Sequence, residues 1–109
     1  MTAEEREHHF NAFTLLMKNV ITSKSGDYAN ADVLSNFKLA GGICGLTPQQ
    51  NCLSLIATKV ARLGVLLKTK IEGGEKKTPL HESVRDSVLD LANYSLLLDL
   101  LITDEDLDK

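Results

Sequence analysis

The chain has 109 residues, 43% hydrophobic and 25% charged, which predicts one globular domain with a small core. A net charge of −3 argues against nonspecific nucleic-acid binding, which needs a basic stripe. The longest apolar stretch, 96–102, is broken by Asp99 and too short to span a bilayer.

The polar, acidic start MTAEEREHH is unlike a signal peptide. The first helix is predicted from about Ala3 to Thr22, where Phe10, Phe13, Leu16, Met17, Val20 and Ile21 recur at helical spacing. Glu4, Glu5 and Glu7 complement its dipole, and His8 and His9 are expected to be solvated. The polar, glycine-containing stretch 23–32 stops it. Asn30 or Asp32 is expected to cap a second helix over Val33, Leu34, Phe37, Leu39 and Ala40, with Gly41-Gly42 ending it. Thr47, Pro48 and Gln50 form a capping box with proline at the first helical position, opening a third helix to about Ile71. After the turn EGGEKK, Thr78-Pro79 starts a fourth helix that reaches about Thr103. Residues 1–3 and 104–109 are expected to fray.

No period-2 alternation and no Asn-Gly or Asp-Gly turn occurs. The prediction is an all-α, antiparallel four-helix bundle of one domain. It is expected to form a homo-oligomer, because the second half of the fourth helix is apolar nearly all round. Cys44 and Cys52 have no metal-binding spacing; Cys52 falls on a core face and reads as a free, reduced thiol, which fits a cytoplasmic protein.

On a helical wheel Glu82, Asp86, Asp90 and Asn93 share a sector about 80° wide, opposite Val84, Val88, Leu91, Ser95 and Leu98. Like charges one turn apart repel unless a cation offsets them. Lys59 is one such cation, set within the predicted core stripe of Cys52, Ile56, Leu63, Leu66 and Leu67, with Arg62 flanking it. A salt-bridge layer that fixes helix register would explain this pattern. So would a polar pocket in which Glu82, Asp86 and Asp90 hold Mg²⁺ while Lys59 and Arg62 meet phosphate oxygens.

A second cluster, Lys24, Asp27 and Tyr28, reads equally well as a helix end or as a binding loop whose tyrosine stacks on a base; Asn36 and Phe37 follow close behind. His81, in the first turn of the fourth helix, reads as a capping or surface residue. Ser83 and Ser87 have no neighbouring base in sequence, and neither Gly-Gly pair has the context of a phosphate loop.

The segments KSGDYANADVLSNFKLAG, KVARLGVLLK and ESVRDSVLDLANYSLLL resemble the nucleotide modification associated domain 1 family and related short phage helical proteins. Lys24, Asp27 and Tyr28 match the family's loop, Lys59 and Arg62 its basic helix, and Glu82, Asp86, Asp90, Asn93 and Tyr94 its final helix. Ala29 stands where that family usually has glycine. The acid-rich last helix is also similar to the MazG-type all-α nucleoside triphosphate pyrophosphatases, though their E-E-x-x-E segment is missing. The resemblance implies a role in nucleotide or modified-base metabolism.

The expected function is nucleotide binding by a phage-type helical protein, extending to Mg²⁺-dependent hydrolysis of a nucleoside triphosphate. The expected ligand residues are Lys24, Asp27, Tyr28, Asn36, Lys59, Arg62 and Asn93. Two rivals are a non-enzymatic sponge for a cyclic nucleotide immune signal and a structural or interaction protein.

Overall fold

A computed structural model describes residues 1–25, 32–73 and 79–107, with side chains described in these segments except at 24–25, 69–73 and 79–82. Four helices follow in chain order: α1 Ala3–Ser25, α2 Ser35–Cys44, α3 Pro48–Gly73 and α4 Pro79–Leu107. There is no strand among the described residues, so the chain is all-helical.

Two capping boxes open helices. At α3 the Thr47 Oγ1 accepts the Gln50 N–H at 3.1 Å and Gln50 Oε1 accepts the Thr47 N–H at 2.9 Å. The same reciprocal pair joins Thr2 and Glu5 ahead of α1, at 3.1 and 3.3 Å. Sequence reading credited Glu5 only with a dipole effect and left Thr2 in a fraying end. The T-x-x-E signature was there to be read.

The boundaries of α2 depart from expectation at both ends. Asp32 does not cap the helix directly; its Oδ1 accepts the Leu34 N–H at 3.0 Å, and the helix starts at Ser35. Asn30 lies outside the described residues. Gly41 and Gly42 do not stop α2 but belong to it. The helix stops at Gly45, whose φ of 72° is left-handed. There the Leu46 N–H reaches the Gly41 carbonyl at 2.7 Å and the Gly45 N–H reaches that of Gly42 at 3.4 Å, a Schellman ending. Gly41 is needed for a different reason: a Cβ there would stand 2.8 Å from the Leu46 carbonyl oxygen.

Both long helices outrun their predicted ends, α3 reaching Gly73 and α4 Leu107. Within the stretch expected to fray, Asp104 accepts a 2.9 Å charged hydrogen bond from Lys38.

The core is Leu34, Phe37, Cys52 and Leu101, flanked by Leu55, Ile56, Tyr94, Leu97 and Leu98. It forms where α2 and α4 both pack on α3; α1 meets α4. The first turn of α3 lies beside the end of α4, where the Gln49 amide donates to Glu105 Oε2 at 2.9 Å. Farther along, the Cys52 thiol donates to the Tyr94 carbonyl at 3.3 Å. These two contacts fix how far α3 and α4 slide past each other.

The wheel placed the apolar stripe of α4 too far from the acids. Val84, Ser87 and Leu101 are buried, whereas Val88 is 42% exposed and Ser95 is exposed. The buried seam therefore runs Val84, Ser87, Leu91, Tyr94, Leu98, Leu101, alternating steps of three and four. Ser87 and Tyr94 diluted its apolar signal, and Val88 added a false one beside it. Among the described residues no helix is long and apolar enough to cross a membrane.

Candidate functional site

Rotating that seam brings Asp90 and Asn93 to the inner side of α4. They form one wall of a cavity of about 520 Å³. All four helices contribute: Val20, Ile21 and Thr22 from the end of α1, Asn36 and Phe37 from α2, Asn51 and Leu55 from α3, and Asp90, Asn93 and Tyr94 from α4. Such a volume lies within the range of small-molecule sites, about 300–1,000 Å³. The walls are mainly apolar, with two aromatic rings and a few amides.

Asn93 is 5% exposed, and both its Oδ1 and Nδ2 are shielded from solvent without a hydrogen-bond partner. An amide buried in this way costs roughly 1–3 kcal/mol. Among the described residues it is the side chain whose polar atoms are left in this state.

Lys59 reaches the same wall from α3. Its Nζ lies 3.0 Å from Asp90 Oδ2, and the two side chains are 25% and 33% exposed. The lysine embedded in an apolar stripe thus meets an acid, one of the two ways, with snorkelling to solvent, in which such a position is accommodated. Arg62 and Asp86 are exposed and do not line the cavity. No ion pair among the described residues includes either of them. Asn36 lines the cavity from α2.

Of the remaining candidates, Asp27 and Tyr28 lie outside the described residues, and so do the side chains of Lys24, His81 and Glu82. The Mg²⁺ expectation rested on three carboxylates acting together. Asp90 is paired with Lys59 and Asp86 is exposed off the cavity; the side chain of the third acid, Glu82, lies outside the described residues. Among the described residues no group of three His, Cys, Asp or Glu side chains is placed to hold a metal ion.

Sequence reading missed several lining residues. Thr22 sat at a predicted helix end and Asn51 on a flank of α3; neither carries a charge or a motif. The contribution of α1 depends on how that helix meets α4, which periodicity does not encode.

A second polar cluster lies elsewhere. Lys38 bridges Asp32, at the entrance to α2, and Asp104, near the end of α4. Its hydrogen bond to Asp32, with a second to Asp104, raises the lysine pKa well above its usual value. The same bond from Lys38, helped by the Leu34 N–H, holds the Asp32 carboxyl below the ordinary 3.8. Burial pushes the Cys52 thiol up, which keeps it protonated and poorly nucleophilic; Cys44 is exposed. Comparison of the chain with family models, with curated proteins and with solved structures found no match.

Proposed function

We propose that the protein binds a nucleotide in the four-helix cavity, with the base turned toward Asn93. The unpaired Asn93 amide, buried against the cavity wall, carries this reading: turned toward the cavity, it would complete its hydrogen bonds with the ligand. An amide presents one donor and one acceptor side by side, the pattern that matches an adenine edge. Apolar walls with Phe37 and Tyr94 suit a flat heteroaromatic ring. Lys59, held at the wall by Asp90, and Arg62 beyond it are the cations assigned to phosphate.

Binding without turnover is the form we infer. The Lys59–Asp90 pair offsets both charges, so a ligand phosphate would compete with Asp90 for the lysine, and a cation at Asp90 would compete with Lys59. This makes the protein a sequestering binder of nucleotides, cyclic ones included, in the cytoplasm of its host cell. Hydrolysis in the manner of the MazG-type enzymes would need Glu82, Asp86 and Asp90 to gather Mg²⁺ with the ligand's phosphates.

We further propose that the antiparallel bundle works as a homo-oligomer. The chain exposes 7939 Å², about a third more than the ~5,900 Å² of a compact monomer of this mass. Its radius of gyration is 16.4 Å, against about 13 Å for a compact domain of this length.

The test is calorimetric titration with a panel of linear and cyclic nucleotides, with and without Mg²⁺, followed by chromatography of the recovered ligand. Intact ligand at a saturable site supports the binder. Mg²⁺-dependent release of pyrophosphate would replace it with the enzyme. Absence of binding across the panel would leave the polar wall a device of the fold.

A further inference from the structure

The outward side of α3 has no part in the core or the cavity, yet it is patterned. Leu53, Ala57, Val60, Gly64 and Leu67 follow one another at steps of four, three, four and three, and all five are exposed. Leu53 is 56% exposed, Val60 53% and Leu67 44%. On a wheel they fill a sector with no charged residue between 53 and 67. Lys59 points instead to Asp90, and Arg62 falls on the opposite side.

A repeat of 3.5 residues is the signature of a helix that faces another helix along its length, because it keeps one seam in register with a partner. Among the described residues nothing covers this seam. From Leu53 to Leu67 it runs roughly 21 Å at 1.5 Å per residue.

Gly64 points the same way. Glycine in the middle of a helix weakens it relative to alanine. At Gly41 the packing explains the choice, but a Cβ at Gly64 would meet nothing within 4 Å. The described residues give no packing reason for a glycine there. A second backbone approaching closely would, and Ala57, one heptad earlier on the same line, is small as well.

We propose that the outer face of α3 is a self-docking seam, where α3 of a second copy packs across Leu53, Ala57, Val60, Gly64 and Leu67. The assignment rests on the self-association proposed above, and the surplus surface sets its scale. A stable interface takes about 800 Å² from each partner, well within the excess over a compact monomer. The seam is the core of that contact, and neighbouring exposed side chains supply the rest. Uncharged and apolar, it meets a copy of itself without repulsion.

Light-scattering mass measurement across a dilution series tests it on the full chain. Wild type is expected to be a dimer. Val60→Glu places a charge at the seam's midpoint and should raise the dissociation constant at least about tenfold, with helical circular dichroism unchanged. Val65→Glu is the control: Val65 is more exposed, at 68%, but lies roughly 100° round the helix from the seam, so the dimer should persist. In a Cys44→Ser background, Val60→Cys should cross-link two chains on mild oxidation, which reads the seam even if Val60→Glu fails to fold. A monomeric wild type would overturn self-association and the seam together. A dimer that survives Val60→Glu, or that Val60→Cys does not cross-link, would overturn the seam and leave association standing.

Discussion

Two polar clusters on α4 are built on opposite terms. Near the C-terminal end, Asp104 shares Lys38 with Asp32, so each charge has a partner and α2 is tied to α4. Near the middle, Asn93 is enclosed more completely, yet its amide bonds to nothing. A satisfied cluster explains itself by the packing it fixes. An unsatisfied one costs stability inside the folded chain, and a ligand that completes its hydrogen bonds recovers that cost. The difference separates a fold device from a candidate site without reference to any relative.

Replacing Asn93 by leucine should sharpen that contrast most. Leucine has the same branched outline and needs no partner, and the adjoining cavity leaves room for its larger methyl groups. Unliganded Asn93→Leu is expected to be more stable than wild type by about 1–2 kcal/mol in urea unfolding. Nucleotide affinity should fall by roughly 100-fold, about 2.7 kcal/mol. The two changes have opposite signs, which a packing role would not produce. A variant that loses stability while keeping its ligand would mean that Asn93 serves the bundle.

The pair beside the cavity comes next. Lys59 and Asp90 are a quarter to a third exposed, so their contribution lies between that of a surface bridge and a buried one. Lys59→Met should cost about 1 kcal/mol of stability, chiefly by leaving Asp90 half-buried without its cation. Adding Asp90→Leu should return most of that loss. If the double variant stays as unstable as the single one, the methionine has disturbed packing and the ion pair matters little to the fold.

Much of this was legible in the residues. The helix count and the Thr47 capping box follow from local chemistry, since caps and periodicity act within one or two turns. The rotation of α4 was not legible. Asp90 and Asn93 lie on one side of the helix and Val88 nearly opposite them, and how far the helix turns between those two sides is decided by its packing on α3. The end of α2 misled for a related reason. Gly41 looks like a stop signal, but its missing side chain makes room for the Leu46 carbonyl, a contact visible only once the turn is built. The cavity depends on α1 as well, whose meeting with α4 no periodicity specifies.

The Lys38 cluster should show the smallest effect at neutral pH and the clearest dependence on it. The hydrogen bond from Lys38 keeps the Asp32 pKa below its ordinary 3.8. The carboxylate's contribution is therefore complete above that value and is lost as pH falls through the lowered one. The lysine pKa is raised above 10.5, so its contribution is complete below that value and fades only as pH rises past it. Between the two limits the stabilisation should be level. Urea midpoints of wild type and Lys38→Met should differ by a constant amount from about pH 5 to pH 9. The gap should narrow in acid, as pH falls through the lowered Asp32 value and the Lys38–Asp32 bond is lost in wild type too. A gap that persists unchanged into strong acid would show that Lys38 acts through its aliphatic stem against α2 and α4, and the cluster would then be a packing contact.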